Sequence, residues 1–214
     1  MSEIALAGSR IAAADITAVV LCGGEGRRMG GADKPLLPFR GRPLLRHVLD
    51  GLHGAVGQVL LVANRSHDAY RQLAQPAAGS LNHHLPCEVI SDLEAGLGPL
   101  AGIAAASRHL QTPWAFVCAG DVPFLSAALV QRLAAHRTAY EEAPRVAHDG
   151  ERRQPLFAII PHSVMRTAED ALQCSESRSV AGWLAAHGAE SVPAADLAQS
   201  MISMDEPLQL RQHE

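Results

Sequence analysis

Residues 16–34 read ITAVVLCGGEGRRMGGADK, an apolar run that leads directly into a loop holding five of the 18 glycines. The run 16–22 has the near-continuous apolar composition of a strand that is buried on both faces. In an α/β sheet, ligands bind outside the carboxyl ends of the strands, and glycines there let backbone N–H groups approach a phosphate closely. The stretch therefore predicts a first parallel strand followed by a phosphate-binding loop.

The rest of the chain alternates between apolar runs and helical patterns. Strands are predicted at 58–63, 88–90 and 114–118, and helices at 43–52, 66–74, 99–110 and 126–136. This alternation predicts an α/β fold, a three-layer sandwich around a Rossmann-like, mostly parallel sheet. Two later apolar runs, 145–148 and 156–160, flank a polar turn and predict a hairpin, so the C-terminal part of the sheet is expected to have mixed direction.

Length and composition predict one domain. A chain of 214 residues with 48% hydrophobic residues can bury a continuous core, which we assign to residues 16–214. Residues 1–15 lack the basic start and apolar middle of a secretory signal, and we expect a flexible N-terminal extension there. No apolar stretch reaches the roughly 20 residues that span a bilayer. We therefore expect a cytoplasmic protein without a membrane partner.

The charged residues exclude one class of partner and single out one residue. The net charge of −4 and the 4% aromatic content argue against nucleic acid, which requires a basic surface and rings that stack on bases. The cations are 17 arginines and one lysine, Lys34, which lies at the end of the glycine loop. Since arginine serves as the cation everywhere else, the retained lysine suggests a site that arginine cannot serve.

The loop fits neither of two common phosphate-binding patterns. The pattern G-x-G-x-x-G would place its third glycine at Met29, and Pro35 then prevents a helix from opening immediately. The pattern G-x-x-x-x-G-K-[ST] fails because Lys34 is preceded by Asp33 and followed by Pro35. The sequence thus predicts an extended phosphate loop that ends in Asp-Lys-Pro.

Several short motifs extend the pattern along the chain. They are LCGGEGRRMGGADK at 21–34, GRPL at 41–44, ANR at 63–65, SD at 91–92, GPLAG at 98–102, GDVPF at 120–124, HDGER at 148–152 and QPL at 154–156. With these motifs the chain resembles the molybdenum cofactor guanylyltransferases, within the wider set of nucleotidyltransferases, over roughly residues 16–186. The resemblance implies transfer of GMP from GTP to molybdopterin or Mo-molybdopterin, which forms molybdopterin guanine dinucleotide and pyrophosphate and requires Mg²⁺.

The resemblance also implies a set of site residues. The nucleotide is expected to contact Leu21, Cys22, Gly23, Lys34, Asn64, Asp92 and Asp121. Lys34 and Asp121 are the catalytic candidates, Lys34 as a compact cation on the phosphates and Asp121 as the Mg²⁺ ligand. Such residues suit the reaction, because bringing two anions together depends mainly on positioning and charge neutralisation. Arg27 and Arg28 are either solvated or in contact with a phosphate.

Two other functions stay open at this point. Relatives that use CTP resemble Ala-Ala-Gly at residues 22–24, where this chain has Cys-Gly-Gly, yet Ala119-Gly120 before Asp121 is closer to those relatives. The chain could therefore be a molybdenum cofactor cytidylyltransferase, or a non-catalytic module that binds nucleotide or cofactor. The tail at 205–207 also departs from the family's Asn-Thr-Pro. As protein partners, the resemblance implies other molybdenum cofactor biosynthesis proteins and acceptor molybdoenzymes.

Overall fold

A computed structural model describes residues 10–23, 33–75, 85–92, 97–136, 138, 140, 142–173 and 179–204 of the chain. The strands are β1 (Ile16–Leu21), β2 (Pro38–Phe39), β3 (Arg42–Pro43), β4 (Gln58–Val62), β5 (Cys87–Ile90), β6 (Trp114–Ala119), β7 (Arg145–His148), β8 (Arg153–Pro161) and β9 (Glu190–Pro193). The helices are α1 (Leu44–Leu52), α2 (His67–Ala74), α3 (Pro99–Ser107), α4 (Ala127–Ala135), α5 (His162–Met165), α6 (Ala168–Gln173) and α7 (Val180–Ala186). Within the described ranges, none of the helices has the length and apolar composition to cross a bilayer.

Seven strands form one central sheet in the order β5-β4-β1-β6-β8-β7-β9. The pairs β4–β5, β1–β4, β1–β6 and β7–β9 are parallel, and β8 runs antiparallel to both of its neighbours, β6 and β7. This arrangement confirms the predicted α/β fold with a mostly parallel sheet and a mixed C-terminal part. It also confirms the hairpin, whose strands are β7 and β8.

Helices cover both faces of the sheet, which explains why successive residues of β1 from Ala18 onward are apolar. Ala18 and Val20 pack in the core that α1, α2 and α4 share, whereas Val19 packs in the opposite core with α3, α5, α6 and α7. All three side chains are fully buried. A strand with no solvent-facing side has no polar alternation, so its sequence is a continuous apolar run.

Residues 10–15, in the segment expected to extend freely, pack against the rest of the chain. Ile11 is buried, and its backbone N–H donates to the carbonyl oxygen of Ala134 at 3.2 Å. A 3₁₀ helix, Ala13–Asp15, then leads into β1. The earlier part of that segment, residues 1–9, lies outside the described residues.

Helix α1 approaches the segment after β6 so closely that only glycine fits at one position. A Cβ atom on Gly51 would lie 2.0 Å from the carbonyl oxygen of Leu125, a backbone atom that cannot move aside alone. We expect Gly51→Ala to reduce the free energy of unfolding by about 3 kcal/mol, because overpacking forces the backbone to shift. Thermal unfolding should then begin roughly 10 °C lower than in the wild type.

A second glycine provides the control for this measurement. A Cβ atom on Gly23 would meet only the Nδ2 atom of Asn64, at 3.8 Å, which is ordinary van der Waals contact. Gly23→Ala should therefore unfold at the wild-type temperature. Equal melting temperatures for Gly51→Ala and Gly23→Ala would contradict the close approach of α1.

Candidate active site

The carboxyl ends of β1, β4 and β6 meet at one edge of the sheet, where the glycine loop begins. The N–H of Cys22 donates to the carbonyl oxygen of Val62, and the N–H of Gly120 donates to that of Leu21, both at 2.9 Å. These bonds fix the first residues of the loop between the neighbouring strands. Leu21, Cys22 and Gly23 therefore lie where the sequence predicts the nucleotide.

Gly23, Asn64 and Asp92 are brought together at this edge. The Cβ position of Gly23 lies 3.8 Å from the amide nitrogen of the Asn64 side chain. The side-chain oxygen of Asn64 accepts a hydrogen bond from the backbone N–H of Asp92 at 3.1 Å. Asn64 thus connects the ends of β4 and β5 and places an amide group beside the start of the loop.

Lys34 and Asp121 meet on the other side of β1, toward β6. Lys34 opens a short 3₁₀ helix, Lys34–Leu36, and its Nζ atom lies 3.9 Å from Oδ2 of Asp121. The two side chains are only 21% and 15% exposed. The carbonyl oxygen of Asp121 accepts a hydrogen bond from the N–H of Met204 at 3.0 Å. A cation and a carboxylate are therefore held together at the sheet edge, 87 residues apart in sequence.

Gly120 explains one departure from the family pattern. A Cβ atom there would lie 3.0 Å from Cγ of Pro35 and 3.1 Å from Sγ of Cys22. The absence of a side chain lets the segment after Lys34 pack directly against the end of β6. No local sequence pattern indicates this contact, because it depends on how two distant segments pack.

The side chain of Cys22 belongs to the core and not to the reaction. Its thiol is buried and contacts the carbonyl oxygen of Val20 at 3.7 Å. Burial, followed by the nearby Cys118 and Asp33, raises the pKa of the Cys22 thiol well above its usual value. The thiol therefore stays protonated at neutral pH and is no nucleophile, since nucleophilic attack requires the thiolate. Any contact of Cys22 with a nucleotide is made by its backbone.

Sequence reasoning missed a group of side chains next to Lys34. The hydroxyl of Tyr70 donates to Oδ1 of Asp33 at 2.6 Å, and Nε of Arg65 lies 3.5 Å from Oδ2. Asp33 and Arg65 lie within the motifs quoted above, but no function was predicted for them. Tyr70 lies in none of those motifs. The only available signal was a tyrosine within an amphipathic helix, which on its own predicts a core residue.

The β7–β8 turn forms a compact polar structure. Oδ1 of Asp149 accepts hydrogen bonds from the N–H groups of Glu151 and Arg152, both at 2.8 Å, and Oδ2 accepts one from the Gln154 side chain. These hydrogen bonds lower the pKa of Asp149 to about 2, and the bond from the N–H of Arg152 has the largest effect. The HDGER motif is thus a turn that its own aspartate stabilises.

Several sequence predictions fall outside the described residues. They concern the loop glycines from Gly24 to Gly31 with Arg27 and Arg28, and the tail at 205–207. Both interpretations of Arg27 and Arg28, as solvated residues or as phosphate contacts, therefore stay predictions from the sequence.

One carboxylate of the site, that of Asp121, is suited to a metal ion whose other ligands come largely from a bound substrate. The described residues contain no group of three or more His, Cys, Asp or Glu side chains that could hold a metal ion. Asp121 instead offers a single, largely buried carboxylate beside a cation. Mg²⁺ is usually bound by one or two carboxylates together with substrate phosphates and water, so this residue fits a metal that arrives with a nucleotide.

A mostly parallel sheet whose first strand leads into a glycine loop, with a lysine and a carboxylate at its carboxyl edge, is typical of α/β proteins that bind nucleotide phosphates. The family model described as the MobA-like NTP transferase domain matches residues 18–191. The chain belongs to this family and is a nucleotidyltransferase.

Individual relatives agree with this assignment. A molybdenum cofactor guanylyltransferase of Cupriavidus metallidurans is 37% identical over 86% of this chain and 87% of that protein. One of Shewanella piezotolerans is 33% identical over 92% of this chain and 91% of that protein. The crystal structure of molybdopterin-guanine dinucleotide biosynthesis protein A from Archaeoglobus fulgidus has a TM-score of 0.68 at 25% identity, with 92% of this chain and 96% of that chain covered. The resemblance seen in the sequence motifs is confirmed.

Proposed function

We propose that the chain transfers GMP from GTP to molybdopterin, forming molybdopterin guanine dinucleotide and pyrophosphate. The observation that carries the proposal is the Lys34–Asp121 pair, held at 3.9 Å beside the start of the glycine loop. The relatives named molybdenum cofactor guanylyltransferase supply the acceptor, because they match about nine-tenths of the chain. The motifs quoted above for the site all lie within the matched residues 18–191.

The proposed reaction is one displacement at phosphorus. A phosphate oxygen of molybdopterin attacks the α-phosphorus of GTP, a new P–O bond forms, and the bond from the α-phosphorus to the bridging oxygen of the β-phosphate breaks. Pyrophosphate leaves with that electron pair. Because both reactants are anionic, the protein accelerates the step mainly by alignment and by positive charge.

In this proposal each site residue has a separate task. The ammonium group of Lys34 contacts the phosphates and offsets their charge. Asp121 holds Mg²⁺ together with the phosphates, and the bound metal supplies further positive charge to the oxygens of the transferred group. Gly23 and the Asn64–Asp92 pair hold the nucleoside end. The low exposure of Lys34 and Asp121 strengthens these interactions, since charges act more strongly away from bulk water.

The experiment that tests the proposal measures pyrophosphate release with molybdopterin and either GTP or CTP, with and without Mg²⁺. We expect release with GTP and Mg²⁺, and kcat/KM at least about tenfold lower with CTP, because a site that pairs with one base leaves polar groups unpaired with another. Preferred use of CTP would make the chain a cytidylyltransferase. Binding of GTP without any pyrophosphate release would make it a binding module.

Gly23 offers a finer test of the base. CTP-dependent relatives resemble alanine at this position, and a methyl group here would point toward the Asn64 side chain without a clash. We expect Gly23→Ala to lower kcat/KM for GTP about tenfold, the effect of one misplaced methyl group in a binding pocket. The ratio of CTP to GTP turnover should rise, while the melting temperature stays unchanged. An unaltered ratio would remove Gly23 from base selection.

A further inference from the structure

Asp33, the residue immediately before Lys34, carries a largely buried carboxylate. Its Oδ2 atom is buried and accepts no hydrogen bond from the residues that the structure describes, although the Arg65 guanidinium lies 3.5 Å away. Its Oδ1 atom accepts the hydroxyl of Tyr70 at 2.6 Å. Burying a charge is costly unless it is paired. The carboxylate of Asp33 is therefore most stable close to the Tyr70 hydroxyl and the Arg65 guanidinium, which offset the cost of its burial.

Tyr70 is a rigid partner. Its side chain is fully buried in the core between α2 and the sheet. Burial first, and then the nearby Cys22 and Asp33, raise the pKa of the Tyr70 phenol far above its usual value, so the hydroxyl stays protonated and donates. The hydrogen bond thus runs from a fully buried ring to the carboxylate of Asp33.

Backbone hydrogen bonds join Asp33 and Lys34 in one short turn. The carbonyl oxygen of Asp33 accepts a hydrogen bond from the N–H of Leu36 at 3.0 Å, and that of Lys34 accepts one from Leu37 at 2.9 Å. On the other side of Lys34, Pro35 packs against Gly120 at the end of β6. Lys34 is therefore held between two fixed neighbours, with its ammonium group directed at Asp121.

We propose that Tyr70, acting through Asp33, positions Lys34 for contact with the nucleotide phosphates, with Arg65 as the second anchor of the same carboxylate. Arg65 and Asn64 are adjacent in the chain, so the connection after β4 contributes both to the nucleoside end of the site and to the placement of the lysine. The role in phosphate contact rests on the proposed function, whereas the placement of Lys34 does not.

Tyr70→Phe is the test variant, and Tyr140→Phe is its matched control. The phenylalanine keeps the buried ring and removes only the hydroxyl that donates to Asp33. The control makes the same change in the chain's other tyrosine, whose side chain is 77% exposed. Because the chain contains one lysine, protein labelled with [¹⁵N]lysine gives one backbone amide signal, that of Lys34.

We expect Tyr70→Phe to shift or broaden the Lys34 signal in the absence of nucleotide and to raise the GTP KM about tenfold. Small displacements of a positioning group cost this much or more in rate. Tyr140→Phe should alter neither quantity. A second variant, Arg65→Gln, changes a partly exposed side chain that can be replaced without emptying the core, and it should move the Lys34 signal as well.

A double-variant comparison separates positioning from a general structural role. If Tyr70 acts through Lys34, Tyr70→Phe should weaken GTP binding in the wild-type background and have little further effect beside Lys34→Arg. An unchanged Lys34 signal in both Tyr70→Phe and Arg65→Gln, or full additivity with Lys34→Arg, would overturn the inference. Failure of GTP to move the Lys34 signal of the wild type would instead count against the proposed function, and the nucleotide-free spectra would still test the placement.

Discussion

Lys34→Arg is expected to leave the chain folded and to reduce nucleotidyl transfer about a hundredfold, the loss typical of removing one charge-stabilising donor at a transition state. The Nζ atom of Lys34 lies 3.9 Å from Asp121 in a partly enclosed position, and Pro35 beside it packs against Gly120. The planar guanidinium needs more room than an ammonium group and directs its N–H bonds in a fixed fork. Arginine therefore retains the charge but cannot place it where lysine does.

The measurement is kcat/KM for pyrophosphate release together with the melting temperature. Arg71→Lys is the control, because it exchanges the same two residue types in an exposed ion pair with Asp68 on α2. That control should keep wild-type activity and stability. Near-normal turnover by Lys34→Arg would remove the special role of lysine at this position.

Asp121→Asn is expected to reduce kcat by about a hundred to a thousandfold, since it removes the carboxylate that we assign to Mg²⁺. The amide has nearly the same shape, and the backbone carbonyl that accepts the N–H of Met204 is unaffected. The fold should therefore persist. The substitution also removes the negative charge that lies 3.9 Å from the ammonium group of Lys34.

Rates measured over a range of Mg²⁺ concentrations test this role separately from folding. The Asp121→Asn variant should need more Mg²⁺ for half-maximal activity than the wild type, because one ligand of the metal is weaker. Asp68→Asn makes the same change at an exposed carboxylate on α2 and should show the wild-type dependence. If Asp121→Asn and the wild type respond identically to Mg²⁺, Asp121 does not hold the metal.

The sequence was sufficient for the parallel half of the sheet, because β1, β4 and β6 are buried on both faces and their apolar runs mark them clearly. The position of β8 between β6 and β7 had no such local signal, since it depends on pairing between distant segments. The short elements were also missed, among them β2, β3 and β9. β2 and β3 contain only two residues each, too few to show a period, and β9 has the sequence ESVP, which contains no apolar run.

Helix ends show a similar limit. Ser126, the first residue of the helix predicted at 126–136 and a residue type that favours helix N-termini, directly precedes Ala127, the first residue of α4. Its side chain makes no capping hydrogen bond and contacts the hydroxyl of Ser200 at 2.9 Å instead. The residue type indicated the boundary correctly, whereas its partner came from a segment 74 residues away.

The same distinction holds at the candidate site. The placement of Asn64, Asp92 and Asp121 at one edge of the sheet could be predicted because each closely follows a strand end, and parallel strands bring those ends together. Lys34 lies 13 residues after the end of β1, and its place was predicted from the glycine loop and the family resemblance. The contact between Tyr70 and Asp33 could not, because it depends on how α2 packs and joins side chains 37 residues apart. In the sequence, Gly120 is only a departure from the family pattern. The structure gives its reason, because a side chain there would crowd Pro35.

Amine-directed labelling of Lys34 most directly tests whether nucleotide phosphates occupy this edge of the sheet. The chain has one lysine, so the reagent reacts only with Lys34 and the amino terminus, and the latter serves as an internal control. Saturating GTP with Mg²⁺ should slow the labelling of Lys34 at least about tenfold, because an amine in contact with phosphates is neither free nor readily deprotonated. The amino terminus should react at an unchanged rate. Equal labelling of Lys34 with and without GTP would contradict the site proposed for the nucleotide.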